Sequence, residues 1–142
     1  MARIDRQRLE AAAFPVTLEV ATRFDDLDMQ GHVNNAAAVV ILQEARASFN
    51  RSVGLHAFMG DHRLMVASLT VDYAGEMFHP APIEVATGVL ALGRTSFTLA
   101  QVARQEGRPR LFSQAVMVIA NADGPAPIPP PLRAAFERLV IG

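Results

Sequence analysis

Three carboxylates (Asp25, Asp26 and Asp28), one histidine (His32) and the amide pair Asn34 and Asn35 fall within eleven residues. No other segment concentrates as much polar chemistry. A carboxylate such as Asp28 can attack a carbonyl carbon directly or act as a general base on water. The imidazole of His32, four residues on, could hydrogen-bond a reacting carbonyl, orient Asp28, or satisfy backbone groups of the loop. Structural roles are open to the same residues. Asn34 and Asn35 are good helix caps, and an aspartate at position 28 could equally cap a helix or close a turn. Asp25 reads as solvated surface and Asp26 as a brace for the loop or for an arginine. The spacing does not by itself make a metal site.

A strand handing over to a helix must position these groups. Thr17 to Phe24 alternates, with Leu18, Val20 and Phe24 on one face and Glu19 and Arg23 on the other, which predicts a half-buried strand. From Val33 to about Val53 there is neither proline nor glycine, and a helix of that span is about 30 Å long. Ala38, Leu42, Ala45, Phe49 and Val53 line one stripe, widened by Ala37, Val40 and Ile41. Gln43, Arg46 and Asn50 form a narrow polar edge. So broad an apolar stripe implies burial on most sides, and Gly54 suits a C-cap position. The acidic loop therefore meets a helix N-terminus, where the amides of Val33 to Asn35 could hold a negative oxygen.

Residues 1–14 read as an arm or short helix, and His56 to Arg63 as a loop. The period then changes to two. Met65 to Tyr73, Ile83 to Leu92, Thr95 to Arg104 and Arg110 to Ala120 predict four strands, with a turn at Gly93-Arg94 and a hairpin at Gln105 to Arg108. Five of the nine prolines lie between Pro125 and Pro131, so 124–142 reads as an extended linker with a short helix at Leu132 to Val140. One strand, one long helix and a four-stranded meander define an α+β class with an antiparallel sheet. The whole of 1–142 reads as one domain.

Composition narrows the function classes. Hydrophobic residues make up 51% of the chain and mean hydropathy is +0.21, which points to a subunit interface. No apolar run approaches the roughly 20 residues of a membrane span. A net charge of −1 offers nucleic acid no electrostatic footprint. All thirteen cations are arginine, the better residue for bidentate phosphate contacts. With no cysteine there is no disulfide, thiolate ligand or cysteine nucleophile. The charged N-terminus, lacking an apolar core, reads as cytoplasmic.

Arg23-Phe-Asp-Asp-Leu-Asp-Met-Gln-Gly-His-Val-Asn-Asn35, followed by Glu44-Ala-Arg46, resembles the signature of hotdog-fold acyl-thioesterases of the 4-hydroxybenzoyl-coenzyme A thioesterase type. It is also similar to the corresponding loop of plant acyl-carrier-protein thioesterases. Weaker likeness continues at Val71-Asp-Tyr73 and Leu92-Gly-Arg-Thr-Ser96. The resemblance implies a hotdog fold, one long helix wrapped by an antiparallel sheet of about five to six strands. It implies hydrolysis of an acyl thioester, on coenzyme A or an acyl-carrier protein, with Asp28 as the catalytic carboxylate. His32, Asn34 and Asn35 would assist, and the helix N-terminus near Val33 would polarise the carbonyl.

The resemblance further implies a homodimer or homotetramer with the site across the interface, and neither cofactor nor metal. Ala38 stands where relatives often carry an aromatic residue, which would enlarge the acyl pocket. Arg94, with Thr95 and Ser96, is the first candidate for the coenzyme A phosphates, and Arg104, Arg108 and Arg110 follow. Gln30 and Ala81-Pro82 depart from the family pattern. Dehydratases share the fold, but their motif is not visible here. A non-catalytic acyl-binding or regulatory module is the alternative that the fold leaves open.

Overall fold

Residues 3–142 are described in a computed structural model. Asp5 caps a short helix, α1 (Arg6–Ala11), by accepting from the Arg8 amide at 3.1 Å; residues 1 and 2, included in the expected arm, lie outside the described part. Strand β1 (Val16–Val20) leads through a 3₁₀ turn at Phe24–Asp26 to the long helix α2 (Asn35–Ser52). A short helix α3 (Leu55–Met59) precedes β2 (Arg63–Tyr73), β3 (Ile83–Leu92), β4 (Ser96–Gln105) and β5 (Arg108–Asn121). A two-residue β6 (Gly124–Pro125) and helix α4 (Pro130–Glu137) follow.

All strand pairs are antiparallel, in the order β1-β3-β4-β5-β2 with β6 on β5. Alternation along β4 sends Phe97, Leu99, Gln101 and Ala103 to one face and Ala100 and Val102 to the other, as the period of two requires. The first face joins Phe49 of α2 and Leu132 and Phe136 of α4 in one cluster, and Ala38, Ile41, Leu42 and Ala45 of α2 in another. The second face is covered by Ile4 and Leu9 from the N-terminal arm, with Phe112.

Four expectations need correction. β1 stops at Val20, and Phe24 is 78% exposed in the following turn instead of continuing the buried face. His56–Arg63 contains most of α3 because Gly54, at φ +73°, ends α2 and starts the new helix in one residue. The closing helix begins at Pro130, where proline is tolerated in a first turn. Finally, the narrow polar edge of Gln43, Arg46 and Asn50 is divided: Gln43 is exposed, whereas Arg46 and Asn50 are buried, Arg46 to 5% exposure. Arg46 meets a buried polar row, Thr87, Gln101 and Ser113, cross-strand neighbours on β3, β4 and β5. Gln101 accepts from Arg46 Nη1 at 3.0 Å and donates to Leu42 O and Thr87 Oγ1, both at 3.1 Å. Burial holds the Arg46 guanidinium below its ordinary pKa.

The two sides of the sheet path end differently. β1 is short, and beyond it the edge of β3 is met by the C-terminal segment, with Val89 N donating to Leu139 O and Ile141 N to Val89 O. The outer side of β2 runs for eleven residues with Met65 and Val66 about half exposed. No described strand pairs with it.

Candidate active site

The acidic loop is a small closed turn. Leu27 and Val33 form an antiparallel bridge. Inside it, Asp28 N donates to His32 O at 2.8 Å, and Gly31 N donates to Asp28 O at 3.1 Å. Gly31 takes φ +82°, which few other residues adopt without strain. Asp26 is buried and braces the entrance. It accepts from Arg23 N at 2.8 Å and Arg23 Nη2 at 3.0 Å, and this contact raises the arginine's pKa above its ordinary value.

Asp28 has a lopsided carboxylate. Its Oδ1 accepts from Gln30 N at 2.9 Å and His32 N at 3.1 Å. Oδ2 has no hydrogen-bond partner among the described residues. Asp28 thus has the turn-closing role open to its residue type and still presents one free oxygen. The backbone of His32, not its ring, is what orients Asp28.

At the start of α2, Asn34 is the N-cap. Its Oδ1 accepts from Ala37 N at 2.8 Å. Val33 N is committed to Met77 O and Asn34 N to Asp26 O, both at 2.8 Å. The donors left open among the described residues are the amides of Asn35 and Ala36, one step further along than expected.

The connection between β2 and β3 forms the opposite wall. Ala74 N and Gly75 N donate to Arg110 O. Gln105, almost wholly buried, accepts from Phe78 N at 2.9 Å and donates to Phe78 O and Ala81 O at 2.7 and 2.8 Å. Thr22 Oγ1 meets His79 Nδ1 at 2.8 Å. Between this wall and the acidic loop lies a cleft of about 420 Å³. Asp28, His32, Val33, Asn35 and Ala38 line one side, and Tyr73, Glu76, Met77 and Leu111 complete it. Tyr73 reaches across from β2 to donate to Asn35 O at 3.2 Å.

Of the residues singled out from sequence, Asp28, His32, Val33, Asn35 and Ala38 therefore meet in one cleft, while Asn34 acts as the cap beneath it. Arg94, Thr95 and Ser96 do not join them within one chain. They sit at the far end of β4, which Ser96 begins, about 30 Å from Gln105 along the strand. There the Arg94 carbonyl accepts from Ile128 N in the C-terminal region and the Thr95 carbonyl from Ile119 N of β5, both at 2.9 Å. Arg110 touches the cleft wall through its carbonyl, which accepts from Ala74 N and Gly75 N. Tyr73 and Glu76 were missed as site residues, since pairing a loop with a strand end some forty positions away leaves no local pattern. The described residues hold no group of three or more histidines and carboxylates suited to a metal ion.

The model of the Thioesterase-like superfamily matches residues 22–136, and the chain belongs to that family. Its likenesses include proteins of similar size. The uncharacterized protein YsmA of Bacillus subtilis (strain 168) is 28% identical over 101 residues, covering 70% of this chain and 69% of that protein. A thioesterase of Thermus thermophilus, solved with coenzyme A and Zn, is 29% identical with a TM-score of 0.79, covering 89% of this chain and 95% of that one. A predicted thioesterase of Bacillus stearothermophilus is 26% identical, also with a TM-score of 0.79, covering 87% and 95%. The long helix wrapped by a curled antiparallel sheet is the hotdog fold. Family and relatives together support thioester hydrolysis as the general activity. No helix among the described residues is long and apolar enough to cross a membrane.

Proposed function

We propose that this chain, acting as a single domain in the cytoplasm, hydrolyses an acyl-coenzyme A thioester to the free acid and thiol, with Asp28 as the reactive carboxylate. One observation carries the reading: Asp28, whose Oδ2 has no described partner, lines one cleft with Asn35, whose amide at the start of α2 is open. Thioester hydrolysis needs an oxygen nucleophile and a place for negative charge on the carbonyl oxygen. Oδ2 supplies the first, by direct attack or by taking a proton from water. The amides of Asn35 and Ala36 supply the second, reinforced by the positive end of α2. Water adds to the acyl carbon, the C–S bond breaks, and the leaving sulfur takes up a proton. Ala38 leaves room beside the first helical turn for the acyl group.

Coenzyme A is favoured over an acyl-carrier protein by the Thermus thermophilus relative solved with that carrier. Arg110, beside the cleft wall, suits its phosphates. The test is thiol release from aliphatic and aromatic acyl-coenzyme A thioesters. Release from several of them is expected. Binding without release would favour a non-catalytic acyl-binding module.

The open edge of β2 supports a homodimer, or a tetramer of two such dimers. A strand that pairs on one side with β5 and meets no described strand on the other, with half-exposed Met65 and Val66, is a template for another strand. A second copy added antiparallel would bring the far end of its own sheet, with Arg63 and the Arg94–Ser96 turn, towards the cleft of the first. That arrangement would return Arg94, Thr95 and Ser96 to the substrate. Val66→Lys is expected to weaken self-association at least about tenfold, equivalent to about 1.4 kcal/mol. Sedimentation velocity checks this, and a wild type that sediments only as a monomer would overturn the dimer.

A further inference from the structure

The cleft contains a second carboxylate with no part in the hydrolysis just described. Glu76 Oε2 lies 3.3 Å from His32 Nε2. The edge of Phe78 meets the same imidazole, with ring centroids 5.1 Å apart and planes at 85°. Below them, His32 and Phe78 are paired as an antiparallel backbone bridge. Gln105 pins Phe78 from beneath through its amide and carbonyl. The neighbouring Val33 N–H bonds to Met77 O. Glu76 therefore projects from a backbone that is tied directly to that of His32. The contact adds little stability, because the glutamate side chain is 63% exposed. Its significance is geometric.

We propose, on the reading of this cleft as the hydrolytic site, that Glu76 is the positioning residue for His32. The carboxylate can only accept a hydrogen bond, so at this distance it favours the tautomer that keeps hydrogen on Nε2 and leaves Nδ1 of the neutral ring as an acceptor. The ring is fixed in one tautomer and one orientation. A neutral His32 held this way has no second N–H to give. Charge on the thioester oxygen is then left to the open backbone amides at the start of α2. The remaining ionisable groups lining the cleft are Asp28 and Tyr73. Asp28 Oδ1 is held by backbone amides, and the Tyr73 hydroxyl donates to Asn35 O. Neither competes for Nε2 in this arrangement. Filling the cleft with substrate removes water from the pair and strengthens it.

Glu76→Gln and Glu76→Leu separate this role from a structural one. Glutamine retains an acceptor for Nε2–H, whereas leucine does not. Ring-nitrogen NMR of His32 is expected to report the Nε2–H tautomer in wild type and Glu76→Gln, and a mixture in Glu76→Leu. The kcat of Glu76→Leu should fall about tenfold with KM within about twofold, by analogy with the loss of a group that orients a histidine. Glu76→Gln should stay within about threefold of wild type. Unchanged ring spectra in Glu76→Leu would overturn the proposal, as would an altered spectrum with undiminished kcat. A wild type that releases no thiol would instead overturn the hydrolytic reading, and the ring spectra would still decide whether Glu76 holds His32.

Discussion

Asp28→Asn should lose at least about 100-fold in kcat/KM while folding as wild type does. The two halves of this expectation come from the two oxygens of one side chain. Oδ1 closes the loop by accepting from the amides of Gln30 and His32, and an asparagine oxygen can accept the same two bonds. The loop, the Leu27–Val33 bridge and the start of α2 should therefore survive. The other position changes from a carboxylate oxygen to an amide nitrogen, which neither attacks a carbonyl nor takes a proton from water. Asp28→Ala should be worse in a different way, since it removes the loop's internal acceptor as well. Thiol-release kinetics and thermal unfolding of both variants separate these effects. Equal kcat/KM for Asp28→Asn and wild type would move the chemistry to another group.

Gln101→Leu should cost about 3 kcal/mol of stability, whereas Arg46→Met should change it by no more than about 1 kcal/mol. Gln101 is fully buried and answers three groups, among them the guanidinium of Arg46. Removing it leaves a buried cation without its described partner, and the desolvation already lowering the Arg46 pKa is then unopposed. Replacing Arg46 by methionine removes the charge together with its requirement, while Gln101 keeps Leu42 O and Thr87 Oγ1. Urea unfolding of the two variants tests the asymmetry. Equal losses would mean that Arg46 stabilises through contacts other than Gln101.

How much of this could be read in advance depended on the range of the interaction. Period-two alternation after Arg63 specified the meander, because each strand buries one face against its neighbours whatever the chain does elsewhere. The run from Val33 to Val53 specified α2 for a similar reason, and Asn34 proved to be the cap. Asp28, His32, Val33, Asn35 and Ala38 gather in one cleft because they lie on one short loop and the helix it opens. Interactions across the chain were not legible. Arg46 and Asn50 read as a polar edge with Gln43, and nothing local tells that both are buried or that Gln101 meets Arg46 from β4. Phe24 fits the strand's alternation, yet Asp26 turns the backbone there by bonding back to Arg23. Glu76 has no local signature, and its relation to His32 exists only once Gln105 draws the β2–β3 connection inward. Arg94 to Ser96 carried promising residue types, but the length of β4 separates them from the cleft of their own chain.

The unequal tethering of the Asp28 oxygens has an isotopic consequence. With Oδ1 held by two amides, only Oδ2 is free to bond an acyl carbon. If Asp28 attacks directly and water then cleaves the resulting anhydride at the aspartyl carbon, turnover in heavy-oxygen water should label one carboxylate position and stop there. A base acting on water would leave the protein light and send all of the heavy oxygen into the released acid. Mass spectrometry of the peptide containing Asp28 would read the difference directly.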